Sequence, residues 1–150
     1  MEQIDPNVEA EVWQRVMGQQ QTQREREDIR PLMLSAMEAA SLYRHLSGVL
    51  TGKGKERMKT LHQGAMANLA CLKGIQAMSG GGNGKLTAMP IPKAPVRRML
   101  ETGYHRARHL MAEYMGRSVD GEFGVLFQRM ADREREHVVT LAEILGELGR

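Results

Sequence analysis

Glu134 and His137 are the residues of this chain whose types and spacing most directly suggest chemistry. Positions 127, 130, 134, 137, 141, 144 and 148 recur at the three- and four-residue spacing of one helix face. Five of them are Phe127, Met130, Leu141, Ile144 and Leu148, so the stripe is a core stripe interrupted by a carboxylate and an imidazole. A carboxylate is costly to bury unless it is paired, hydrogen-bonded or bound to a metal. Glu-x-x-His on the inner face of a helix is also half of a di-metal site. The pair therefore reads in two ways. It is either the remnant of a metal centre, or a hydrogen-bonded core pair completed by Asn68, whose amide can donate to a carboxylate or accept from an imidazole.

Other candidates carry weaker signals. Glu38 and Glu101 could join Glu134 and His137 in a mononuclear site only if their helices were rotated, because each lies roughly opposite its own apolar stripe at about 100° per residue. Glu101 has Arg97, Arg98 and His105 at helix-neighbour spacings, which fits an exposed ion-pair face. Glu38 shares a face with Leu34, Leu42 and His45 that a dimer contact could cover. Tyr43 lies on a core stripe, as a core residue or as a partner to a metal. Cys71 sits beside the inward Leu72 with no acid–base partner and reads as a structural thiol. Lys93, Arg97, Arg98, Arg106 and Arg108 form a basic cluster without interleaved aromatics other than Tyr104, so a nucleic-acid site is not expected. The run Gly80–Gly84 lacks the Gly-Lys-Ser/Thr ending of a phosphate loop.

The elements that must position Glu134 and His137 are helices. With 150 residues the expectation is one domain over 1–150, large enough for a real core, and a net charge of +3 marks neither a lipid nor a nucleic-acid binder. One cysteine excludes an internal disulfide and suits a reducing cytosol. An acidic start without a signal-peptide pattern, and no apolar run of spanning length, point to a cytoplasmic protein without membrane spans. Twelve methionines against six aromatics favour a soft helical core over a sandwich of strands. Asp5-Pro6 opens a short N-terminal helix at about 6–17 that carries Val8, Trp13 and Val16. Hairpin one spans about 25–79, with helices ending near Ser47 and starting near Lys55, and with Pro31 marking a start or a kink. The stretch 80–95, rich in Gly and Pro, is a long crossover. Extended at about 3.3 Å per residue it outreaches a helix of either hairpin. Hairpin two spans about 96–148, with helix three reaching about Met115 and helix four about Leu148. Two hairpins joined by one long crossover form the ferritin-like type of four-helix bundle.

An internal repeat supports that arrangement. Sliding helix four back by 69 residues lays Phe127 on Met58, Met130 on Leu61, Leu141 on Leu72 and Ile144 on Ile75. Glu134 then falls on Ala65 and His137 on Asn68, while a shift of 67 pairs Ala36 with Gly103. Measured from their turns, Ala36, Ala65, Gly103 and Glu134 share one level.

Over roughly residues 25–150 the layout resembles the rubrerythrin and ferritin-like di-iron carboxylate proteins. The resemblance rests on Glu134-Arg135-Glu136-His137, and more loosely on Ala70–Ile75 and Leu42-Tyr43-Arg44. It implies iron as cofactor, a Glu on each of helices one and three, and Glu-x-x-His on each of helices two and four. Only Glu134 and His137 match; Ala36, Ala65, Asn68 and Gly103 stand at the other expected positions. The expectation is therefore an all-α, rubrerythrin-like bundle with an incomplete di-iron site, non-catalytic or weakly metal-binding. Such a protein would act through a partner or through self-association as a homodimer. The alternative is a di-iron or mononuclear redox or iron-handling protein that reacts with dioxygen or peroxide.

Overall fold

A computed structural model of the chain describes residues 29–80, 85–119 and 121–149. The expected N-terminal helix at 6–17 lies outside the described residues. Among those described there are four helices and no strand: α1 over 29–49, α2 Gly52–Met78, α3 Val96–Ser118 and α4 Gly124–Leu148. Residues 50 and 51 join α1 to α2, and the short connection between Ser118 and Gly124 joins α3 to α4, so each pair is an antiparallel hairpin. Helix α2 begins a few residues before the expected Lys55, with Thr51 in extended conformation (φ −122°, ψ 163°) at its N-cap. It stops at Gly80, whose φ of +73° is the left-handed end that favours glycine. Pro31 lies within α1, close to its first described residue.

The four stripes converge on one axis. Met58, Leu61, Leu72 and Ile75 of α2 are each at most 2% exposed, as are Met130 and Leu141 of α4. Leu148, expected to end the α4 stripe, is 48% exposed instead. It is the last residue of α4, one turn past Ile144, the last buried residue of that helix. The core is also wider than the stripes, taking in Leu42 and Leu46 on α1, Leu69 on α2 and Leu100 on α3.

Apolar packing divides into two clusters. One holds Tyr43, Leu46, Met58, Leu61, Leu100, Leu141 and Ile144, toward the 50–51 turn. The other holds Ile29, Leu32, Leu72, Ile75, Leu110, Tyr114, Phe127 and Met130, toward the end where α3 connects to α4. The crossover traverses both, because Leu86 packs on the second and Ile91 and Ala94 on the first. It thus carries the chain from the foot of α2 to the head of α3, which makes α2 and α3 run the same way. Side-chain links tie the elements together. Arg57 of α2 donates to Glu147 of α4 at 3.1 Å, and His62 Nδ1 lies 2.9 Å from the Ala40 carbonyl of α1. No helix among the described residues is long and apolar enough to cross a membrane.

Candidate functional site

Between the two apolar clusters lies one polar layer. Asn68, Glu134 and His137 are 0%, 1% and 3% exposed, and they are the buried polar or charged residues among those described. Helical spacing puts Glu134 and His137 one turn apart on the inner face of α4, and antiparallel packing sets Asn68 of α2 opposite them.

The layer is a chain of hydrogen bonds. Asn68 Nδ2 donates to Glu134 Oε1 at 3.1 Å and reaches the Met130 carbonyl at 3.4 Å. Arg133, half-buried at the edge of the layer, donates to Asn68 Oδ1 at 3.1 Å and so fixes which way the amide points. His137 Nδ1 lies 3.2 Å from Glu134 Oε2. An ionised carboxylate only accepts, so Nδ1 carries the hydrogen of that bond. Both carboxylate oxygens thus have a protein donor, one from each of α2 and α4.

Packing holds the imidazole from the other sides. Its Nε2 faces α2 at Gly64, where an added Cβ would lie 2.3 Å away, so only glycine accommodates the ring there. Tyr43 meets the ring edge-on, with centroids 5.6 Å apart and planes at 76°. Tyr43 and Tyr114 are both fully buried, and neither hydroxyl has a hydrogen-bond partner among the described residues. Burial first, and then the charge of Glu134, push both phenols well above the usual tyrosine range. Arg106 pulls Tyr43 the other way, and Arg117 does the same for Tyr114.

The positions that the family pattern would fill with ligands hold small residues. Ala36 and Ala65 are 2% and 1% exposed, and Gly103 is buried. A Cβ at Gly103 would come within 3.3 Å of Leu42 Cδ2 and 3.4 Å of Tyr43 Cε1, so α1 side chains occupy the space a longer residue would need. The two remaining candidates are engaged elsewhere. Glu38 pairs with Arg106 at 3.2 Å, their side chains 29% and 25% exposed, linking α1 to α3. Glu101 pairs with Arg97 at 3.3 Å, with its side chain 48% exposed. Among the described residues, no three His, Cys, Asp or Glu side chains converge as metal ligands. One carboxylate and one imidazole, already bonded to each other, do not fit a di-iron centre, which needs carboxylates from all four helices.

Two further features lie outside the layer. A cleft of about 210 Å³ lies where residues 89–92 of the crossover pass over Glu38 and Leu42 of α1 and Thr102 and Arg106 of α3. Burial raises the Cys71 thiol, with Arg133 and Arg129 acting against it, so the thiol stays protonated and a poor nucleophile.

Sequence reasoning missed Arg133 and Gly64. Arg133 gave no signal, being one of several charged residues around Glu134. Gly64 did leave one: a glycine inside a helix costs stability, and this one stands beside the stripe residue Ala65, which points to a close approach. No protein-family model, curated protein or solved structure matches the chain.

Proposed function

We propose that this chain is a ferritin-like bundle whose metal-holding layer is rebuilt as a metal-free polar core layer. In this reading it acts through its surface, by contact with a protein partner or a second copy of itself, rather than by redox chemistry. The carrying observation is that Asn68 donates to the carboxylate that a metal would otherwise bind, while Arg133 holds that amide in place. An ion entering at Glu134 would have to displace Asn68 and break the bond to His137, and it would gain only two ligands of the usual four or more. Ala36, Ala65 and Gly103 remove the carboxylates that would repel one another without metal, and so stabilise the empty bundle.

The second reading, iron handling or a reaction of a reduced metal with dioxygen or peroxide, draws on the same Glu134-x-x-His137 and on the Tyr43 and Tyr114 phenols, which have no hydrogen-bond partner among the described residues. Metal content after anaerobic loading with ferrous iron separates the two. The first reading expects far less than one iron per chain and a melting temperature unmoved by chelator. Two irons per chain, lost in Glu134→Ala, would establish the di-iron reading; one would establish a mononuclear site on Glu134 and His137. Sedimentation of the metal-free protein tests self-association, with a homodimer as the expected species.

A further inference from the structure

Tyr43 and Tyr114 are placed alike in opposite halves of the core. Each is fully buried, and each hydroxyl lacks a hydrogen-bond partner among the described residues. Tyr43 belongs to the apolar cluster at one end of the bundle and Tyr114 to the cluster at the other. Helical side chains lean toward the N-terminus of their own helix. Helix α1 runs toward the 50–51 turn and α3 runs away from that end, so the two phenols lean toward each other. The level between them is that of Glu134, whose charge acts on both.

What could complete both phenols is tightly bounded. Glu134 takes one hydrogen on each oxygen, from Asn68 and from His137, which leaves a lone pair on each. Ala36 and Ala65 shorten the surrounding side chains, while Leu42 and Tyr43 fill the space at Gly103. A guest here must accept from a phenol, donate to a carboxylate, be neutral, and be very small. Anions are repelled by Glu134, and a larger organic molecule has no room beside the Tyr43 ring that already fills the Gly103 position. Water meets all four conditions, and buried water characteristically satisfies polar groups that have no protein partner.

We infer that the layer is a buried water-binding site, in which internal water accepts from the Tyr43 and Tyr114 hydroxyls and donates to the remaining lone pairs of Glu134. The inference rests on the metal-free reading above. Its consequence is structural: Asn68 ties α2 to the carboxylate, and the water ties α1 and α3 to it, so one buried charge on α4 is read by all four helices.

Water–protein cross-relaxation in NMR of the chelator-treated full chain tests this. Long-lived water cross-peaks to the Tyr43 and Tyr114 rings are expected. Tyr43→Phe should abolish the Tyr43 set and keep that of Tyr114, with Tyr114→Phe doing the reverse; if either variant fails to fold, the wild-type peaks decide. Absence of water peaks, with both hydroxyl protons bonded directly to Glu134, would overturn the water site and leave the metal-free reading standing. A visible phenolate charge-transfer band on ferric loading, lost in Tyr43→Phe, would overturn both.

Discussion

Helices α2 and α4 carry the same buried row 69 residues apart, and they differ in kind only in the middle. On α2 the central pair is Ala65 and Asn68; on α4 it is Glu134 and His137. All four are at most 3% exposed, so the difference is not one of burial. It is a division of labour: α4 supplies a charge and an imidazole, and α2 supplies the amide that satisfies the charge and, at Gly64, the gap that admits the imidazole. A symmetric layer would put a second carboxylate opposite Glu134, and without metal the two would repel. The asymmetric layer needs no cation.

The largest break in that comparison comes from removing the charge. Glu134→Ala leaves Asn68 Nδ2 and His137 Nδ1 without their acceptor and opens a void between the clusters. Each buried donor left unpaired costs about 1–3 kcal/mol, and the void adds to that, for about 3–5 kcal/mol together. Near 2–4 °C per kcal/mol for a chain of this size, the melting temperature should fall by roughly 10 °C. Asn68→Ala, the matching deletion on α2, should cost less, about 1–3 kcal/mol, because Glu134 keeps His137 and only its neutral donor is lost. Denaturant titration of the two variants checks the order. Equal losses would show that the layer is not organised around the α4 carboxylate.

Alkaline pH probes the same layer from its rim. Tyr43 and Tyr114 are held protonated in the fold, whereas in the unfolded chain they ionise near pH 10. Their stabilisation is therefore complete below pH 10 and declines as pH rises above it, because the unfolded state then releases protons the fold retains. Two such groups give a slope of about 2.7 kcal/mol per pH unit at most. Urea midpoints between pH 9 and 11 should show this fall, and Tyr43→Phe should reduce its slope by about half. A flat profile would mean that the phenols ionise in place.

Gly64→Ala tests the gap on α2. In an exposed helix the change would stabilise by about 1 kcal/mol through propensity. Here the new methyl meets His137 Nε2 at 2.3 Å, and overpacking costs typically 1–3 kcal/mol. The net effect should be destabilising, and the His137 ring resonances should shift while those of residues near Ile75 stay put.

Much of this is legible in the sequence. The hairpins, the crossover and the polar interruption at Glu134 and His137 follow from periodicity and from the Gly and Pro of residues 80–95, because burial leaves a strong periodic trace along a helix. Asn68 was readable as a partner because it interrupts the α2 stripe at the position the repeat matches to His137, and its amide can donate to a carboxylate. What was not readable depends on details that periodicity does not encode. Leu148 kept the stripe's spacing but ends the helix, one turn past the last buried residue Ile144, and is half exposed. Arg133 reaches Asn68 from the flank of α4, a matter of side-chain length and rotamer rather than face. Glu38 pairs with Arg106 only because α1 and α3 approach closely at Gly103, a contact between distant segments.

The smallest effect completes the comparison, because it concerns the same two helices with the charge moved to the surface. Arg57 of α2 donates to Glu147 of α4 at 3.1 Å, as Asn68 of α2 donates to Glu134 of α4 at the same distance. The outer pair joins two full charges and the inner one only an amide and a charge, so Coulomb attraction alone would rank the outer pair higher. Glu147, however, has a side chain 58% exposed, and water and salt screen it. Exposed pairs of this kind contribute about 0.2–1 kcal/mol. Arg57→Ala should therefore cost less than Asn68→Ala, and its cost should shrink toward zero in 1 M salt while that of Asn68→Ala persists. The reverse ranking would place the link between α2 and α4 at the bundle's surface rather than in its buried layer.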